Sequence, residues 1–211
     1  EFYLSNEERE EADQALREKS TSPSSRFVAV APGGGESWGK DAYFKRWPAE
    51  YFAKTLDLLR QKIDFEGVLI LGSSGEHELG EEIVRRGAPA GRPDRMINLC
   101  GEISLGVTAA LLEKSLLFVG NDGGLVHLAH SFRTPFVAFY GPVDPLVYGP
   151  CPASPKAVAL FREGLACRPC YFRFRYNSSC VDRECLTELS PEEVIRKLDQ
   201  KNFWNELCVR A

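Results

Sequence analysis

No run of apolar residues in this chain approaches the ~18 that a membrane-spanning helix needs, and the N-terminal residues contain no apolar signal-peptide core. The expectation from these absences is a cytosolic protein. Positive charge is not in excess either. The net charge of -4 leaves no electrostatic footprint for general nucleic-acid binding. Internal repeats are absent, which excludes an array architecture. A regular cysteine framework is also lacking. The seven cysteines are an odd number scattered through apolar and loop contexts, which argues against a disulfide-stapled secreted domain. Asn177-Ser178-Ser179 formally fits a glycosylation acceptor and carries no meaning in a cytosolic chain.

What is present is an ordinary globular composition, and 211 residues suffice for one substantial core or for one domain with an appendage. The one low-complexity piece, Ser20-Thr21-Ser22-Pro23-Ser24-Ser25, separates an acidic amphipathic helix over 6–19 from the first buried strand. From there the pattern alternates. Continuous apolar runs at 27–31, 68–71, 96–99, 116–119, 136–139 and 157–161 predict strands, and helical patterns fill 48–62, 76–86, 105–114 and 125–132. Strands that are apolar throughout belong to a parallel sheet covered on both faces. Ser190-Pro191-Glu192-Glu193 is a capping box with Pro at its second position, which starts a C-terminal helix over 190–200. The expected fold class is α/β, a Rossmann-like doubly wound parallel sheet.

The stretch from Leu116 to His130 is the most informative segment. It reads as a buried strand, the turn Asn121-Asp122-Gly123-Gly124, and a helix that starts at once. In an open α/β sheet the carboxyl ends of the strands face the ligand crevice. A helix N-terminus there offers unpaired N–H groups to an anion. Gly123 and Gly124 lack the side chains that would keep a phosphate or sugar off the backbone, Asp122 offers a carboxylate to hydroxyls, and His127 falls about one helical turn further on. The competing reading is an ordinary turn with an Asp N-cap and two core-facing histidines, His127 and His130.

Two familiar phosphate motifs are imitated and fail. Gly34-Gly35-Glu36-Ser37-Trp38-Gly39-Lys40 has the spacing of a phosphate loop, but Asp41 stands where Ser or Thr would hold magnesium. No amphipathic helix is expected there; the next good start is Pro48, which suits a first helical turn. The dinucleotide pattern G-x-G-x-x-G lacks its third glycine at both early turns. The first loop fits a diphosphate site better: the backbone amides of Gly33-Gly34-Gly35 follow the strand, and Lys45-Arg46-Trp47-Pro48 leads into the next helix. The competing reading of Lys45 and Arg46 is a solvated basic turn. In the second loop, Gly72-Ser73-Ser74-Gly75-Glu76, the Glu76 carboxylate could accept from ribose hydroxyls or simply complement a helix dipole.

Taken in order, Pro32-Gly33-Gly34, Lys45-Arg46-Trp47-Pro48, Gly72-x-x-Gly75-Glu76, Asn121-Asp122-Gly123-Gly124-x-x-His127-x-Ala129 and Gly141-Pro142-Val143-Asp144-Pro145 resemble the bacterial heptosyltransferase family, glycosyltransferase family 9. The resemblance runs from Phe27 to about Leu198. It implies the GT-B fold, an ADP-heptose donor and a lipopolysaccharide inner-core acceptor. This chain would be the C-terminal, donor-binding half: 1–25 an interdomain strand and helix, 26–200 the nucleotide-sugar-binding domain, and an acceptor-binding N-terminal domain absent. Carried over by position, Lys45 would contact the donor's diphosphate, Glu76 its ribose and Ile103 its adenine. Asp122, Gly123, Gly124 and His127 would frame the sugar and phosphates. Contacts of Gly33, Gly34 and Gly35 cannot be assigned singly, because this loop is longer than in the family. Gly123 also departs from the family's Ser or Thr. The resemblance further implies that no cofactor or metal is required, that the catalytic base lies in the absent domain, and that the protein is cytoplasmic with peripheral inner-membrane association. Alternatives are a non-catalytic nucleotide-sugar binding module and half of a nucleotide-sugar epimerase.

One cluster stands outside this reading. Cys167, Cys170, Cys180 and Cys185 lie in a loop over 165–186, and tetrahedral zinc would accept such a set, although the second pair is spaced C-x4-C. Packed free thiols are the competing reading. Between them, Tyr171-Phe172-Arg173-Phe174-Arg175-Tyr176 alternates as an edge strand would, with Arg173 and Arg175 on one face.

Overall fold

The computed structural model describes residues 2–87, 95–151, 154–171, 175–177 and 179–207. Six strands, β1 (Phe27–Ala31), β2 (Gly67–Ile70), β3 (Arg95–Asn98), β4 (Leu117–Asn121), β5 (Phe136–Phe139) and β6 (Ala157–Leu160), form one sheet. Every pairing is parallel, and the order is β3-β2-β1-β4-β5-β6. The chain therefore builds outward from β1 to β3, returns past β1, and builds outward the other way from β4. That reversal opens a crevice at the carboxyl ends of β1 and β4.

The helices are α1 (Asn6–Glu18), α2 (Ala49–Leu59), α3 (His77–Gly87), α4 (Leu105–Lys114), α5 (Gly124–Ser131), α6 (Pro145–Tyr148), α7 (Glu184–Thr187), α8 (Pro191–Gln200) and α9 (Phe203–Leu207). Successive strand residues point to opposite faces, and this period splits the core in two. Val28, Val30, Val68, Ile70, Val119 and Phe139 pack under α2 and α8. Phe27, Ala29, Leu69, Phe118, Phe136 and Ala138 pack under α1, α4 and α5. Both layers are buried, and the doubly wound α/β expectation holds. Among the described residues no helix is long and apolar enough to cross a membrane.

Local chemistry explains several helix starts. Ser5 caps α1 in a reciprocal box: Glu8 N–H donates to Ser5 Oγ at 3.1 Å, and Ser5 N–H donates to Glu8 Oε2 at 2.7 Å. Ser104 accepts from Val107 N–H at the start of α4, and Ser190 from Glu193 N–H at the start of α8. Helix α1 is clamped along α4 by a two-pronged Arg9–Glu113 pair and by Lys114–Asp13. The helix of the anticipated interdomain segment is thus present and bound to this domain. Residues 2–5 form no strand.

Three further boundaries differ from the sequence expectation. Residues Glu36–Lys45 form 3-10 turns, interrupted at Gly39 (φ 50°, ψ -129°), where no helix was expected before Pro48. Glycine tolerates that positive φ. Pro48 is the N-cap of α2 rather than part of its first turn. Helix α9 was not anticipated; buried Phe203 and Leu207 anchor it to the α8 layer. The central part of the alternating Tyr171–Tyr176 segment, residues 172–174, lies outside the described residues.

Candidate functional site

A cavity of about 530 Å³ opens at the carboxyl ends of β1 and β4. Gly33, Gly34 and Gly35 come from the turn after β1, and Gly72, Ser73 and Glu76 from the turn after β2. Ile103, Leu105 and Thr108 come from the start of α4, and Asn121, Gly123, Gly124, Leu125 and Leu128 from the end of β4 and from α5. Of the residues the sequence singled out, the structure brings Gly33, Gly34, Gly35, Glu76, Ile103, Gly123 and Gly124 around this one space.

Its polar rim is built from two strand-end turns tied to each other. Glu76 is 5% exposed, and its Oε1 accepts from the N–H groups of Gly34 and Gly35 at 3.1 Å each. Its Oε2 accepts from Ser73 N–H at 2.9 Å. Glycine at position 33 is what admits the carboxylate in this position, because a Cβ there would stand 1.6 Å from Glu76 Oε1. The opposite rim differs in kind. A Cβ at Gly123 would meet nothing nearer than Gly34 O at 3.7 Å, and one at Gly124 would meet nothing within 4 Å. Gly123 has extended backbone (φ 172°) that any residue adopts. Neither packing nor backbone conformation demands glycine at these two positions. Their effect is to leave the first turn of α5 bare toward the cavity, with its unpaired N–H groups and positive dipole end.

Lys45 and Asp122 stand together behind the rim. Lys45 Nζ lies 2.6 Å from Asp122 Oδ2, with side-chain exposures of 5% and 7%. Lys45 runs directly under Gly34, whose Cβ position would be 3.1 Å from Lys45 Cβ. Neither residue lines the cavity. The solvated-turn reading of Lys45 is therefore incorrect, and so is the Asp N-cap: the N-cap of α5 is Gly123, with no side-chain cap. The Asp122 carboxylate is instead taken up by the buried Lys45 ammonium. His127 is exposed on α5 and does not line the cavity, and His130 is half-buried, so neither is a core histidine.

The sequence reading assigned no role to the residue that sets this geometry. Asn121, 3% exposed, donates through Nδ2 to Pro32 O (2.6 Å) and Gly33 O (2.9 Å). Its Oδ1 accepts from Trp47 N–H at 3.1 Å. It pins the glycine loop to the chain entering α2. The signal available was a polar side chain ending an otherwise apolar strand. Trp47 completes the anchor. Its indole stacks on Phe139 with centroids 3.9 Å apart, and Nε1–H donates to Leu189 O at 2.9 Å.

The turn after β5, Gly141 to Asp144, receives the cysteine-rich loop. Arg168 donates to Gly141 O at 2.8 Å and to Val143 O at 2.9 Å, and Pro142 O accepts from the Cys170 and Tyr171 N–H groups. This docking carries Tyr171 and Tyr176 to the Asp122 side of the site. Burial, and secondarily the Asp122 charge, push the phenol of Tyr176 up, and the same causes act on buried Tyr140. Burial also raises the Cys170 thiol and pushes Cys185 up to about 11, with the neighbouring thiols adding to both shifts. Cys167, Cys170, Cys180 and Cys185 are free thiols. Among the described residues no group of three or more His, Cys, Asp and Glu side chains is arranged to hold a metal ion.

The chain has relatives among known proteins. The family model described as "Glycosyltransferase family 9 (heptosyltransferase)" matches residues 1–176. Lipooligosaccharide heptosyltransferase 2 of Haemophilus influenzae is 31% identical over 159 residues, 74% of this chain and 43% of that protein. Lipopolysaccharide heptosyltransferase 2 of Escherichia coli K12 is 31% identical over 158 residues, 74% of this chain and 42% of that protein. The solved structure of E. coli ADP-heptose lps heptosyltransferase II superposes with a TM-score of 0.69 at 25% identity, covering 98% of this chain and 54% of that one. The matched stretch spans less than half the length of these curated relatives. The match covers the strands and turns that build the crevice, and the chain belongs to glycosyltransferase family 9, the heptosyltransferase family.

Proposed function

We propose that this chain is the donor-binding half of a heptosyltransferase that holds an ADP-sugar, ADP-heptose in the first instance. The observation that carries the reading is the bare glycine pair at positions 123 and 124, where the protein itself has no need of glycine. Facing it are the Gly33-Gly34-Gly35 amides and, one wall away, the apolar surface of Ile103, Leu105, Leu125 and Leu128. A diphosphate suits the amides and the N-terminus of α5. A planar base suits the apolar wall, and ribose hydroxyls suit the Glu76 carboxylate. In this reading Lys45 and Asp122 act from beneath the loops, with Lys45 adding positive field under the phosphates.

In the transfer itself, an acceptor hydroxyl of the lipopolysaccharide core attacks the anomeric carbon from the face opposite the diphosphate. The carbon–oxygen bond to the phosphate breaks, and ADP departs with the bonding pair. The configuration inverts, and the acceptor proton passes to a base in a second, N-terminal domain. This half stabilises the charge developing on the departing diphosphate, so the reading requires no cofactor. It also carries a cytoplasmic location, peripheral at the inner membrane. Membership of family 9 favours it over half of a nucleotide-sugar epimerase.

The test is calorimetric titration of the chain with ADP, UDP, GDP and NAD. A Gly124→Val variant places its Cβ where nothing lies within 4 Å. The expected result is selective ADP binding that falls at least ~10-fold in the variant while its thermal midpoint stays put. Equal binding of all four nucleotides, or unchanged ADP affinity in Gly124→Val, would remove the reading.

A further inference from the structure

A negatively charged group already occupies the anion site. Two successive backbone N–H groups, those of Gly34 and Gly35, converge on one oxygen, Glu76 Oε1. That arrangement is the concave amide pair that binds phosphate oxygens in other folds. Glu76 comes from a different strand-end turn and reaches across to fill it. The seat is close: a Cβ at Gly33 would lie 1.6 Å from Oε1, and one at Gly72 would lie 2.7 Å from Oε2. Both turns are glycine where the carboxylate enters. Glu76 also borders the cavity, so whatever enters meets it directly.

A carboxylate and a phosphate both accept hydrogen bonds and donate none. They cannot share these two amides, and one must leave as the other arrives. We propose that Glu76 is an internal stand-in for phosphate. Its carboxylate closes the Gly34–Gly35 amide pair in the empty site, and an entering diphosphate takes the amides and releases the carboxylate toward the hydroxyls of the same ligand. The proposal deepens the donor-binding reading above and rests on it for the identity of the ligand.

Displacement makes Glu76 a specificity-determining residue. A nucleoside diphosphate brings ribose hydroxyls, so the displaced carboxylate exchanges N–H donors for O–H donors. Free pyrophosphate brings no such donors. It would leave a displaced negative charge near its own charge and without partners, which is unfavourable in a buried site. The device therefore discriminates against the free anions of the cell through the charge they displace, with no steric block.

The experiment titrates pyrophosphate and ADP, separately, into the wild-type chain and into Glu76→Gln. Glutamine keeps the shape and one accepting oxygen while removing the charge, which weakens the hold on the amides to that of a neutral acceptor. The expected result is that Glu76→Gln binds pyrophosphate about 5–30-fold more tightly than wild type, with ADP gaining less or losing, so that the preference for ADP narrows. Unchanged or weaker pyrophosphate binding in the variant, or no detectable binding to either protein, overturns the proposal. Failure of the wild type to bind ADP, with pyrophosphate tightened by the variant, keeps the stand-in and removes the nucleotide reading. A second readout needs no variant. On saturating wild type with ADP, the Ser73 amide should lose protection from hydrogen exchange while those of Gly34 and Gly35 keep theirs. Unaltered protection at Ser73 counts against displacement even if Glu76→Gln fails to fold.

Discussion

The Lys45–Asp122 pair is the strongest test of how the site is held together. At 2.6 Å, with both side chains at least nine-tenths buried, the Coulomb attraction at an effective dielectric of ~20 is about 6 kcal/mol. Removing each ion from water costs several kcal/mol, so the intact pair comes out near neutral. Removing one partner is different, because the survivor stays buried without its opposite charge, at about 3–5 kcal/mol. Lys45→Met keeps most of the stem that packs under Gly34, and Asp122→Asn keeps the shape of the carboxylate, so each isolates the charge. Each single variant should lose about 3–5 kcal/mol in urea denaturation, which for a domain of this size lowers the thermal midpoint by roughly 6–20 °C. The double variant should lose clearly less than the sum, by at least ~2 kcal/mol. Strict additivity, or single losses under ~1 kcal/mol, would mean that water reaches the pair and would refute the burial argument.

Asn121→Ala strands the Trp47 N–H and two loop carbonyls; it should destabilise the fold by about 2–3 kcal/mol and weaken ADP binding in calorimetry as the glycine loop loosens. Trp47→Ala removes the stack on Phe139 and the bond to Leu189 O and should lose about 3–5 kcal/mol in chemical denaturation. Iodoacetamide mapping at pH 8 should label exposed Cys151 and Cys167 first. Cys100 and Cys185, pushed by burial up to about 12 and about 11, hold almost no thiolate at that pH and should resist until the protein unfolds.

The alternating apolar runs were enough to place all six strands, because a strand buried on both faces must be apolar throughout. Two of them, Phe27–Ala31 and Phe136–Phe139, coincide with the expected runs residue for residue. The serine cap at 190 marked a helix start because a hydroxyl satisfying N–H groups is a local event; the one at 104 came from the structure. The glycine turns were visible for a similar reason: a loop that must admit a close neighbour leaves its mark in composition. The 3-10 turns over Glu36–Lys45 were not visible, since they follow from where the chain must re-enter the core and not from any periodicity of its own.

What the sequence by itself determined is the fold class, the position of the crevice and the family, all of which rest on local pattern and order along the chain. The tertiary structure alone decided which partner each polar group takes. Lys45 and Asp122 are 77 positions apart and could each have faced ligand or solvent; parallel packing of β1 beside β4 makes them a buried pair. Glu76 could have pointed into the crevice as an open acceptor; the neighbouring turn after β1 supplies two amides that hold it. Pairing across a sheet depends on strand order, and strand order is set by the whole core at once, so no local stretch of residues contains it.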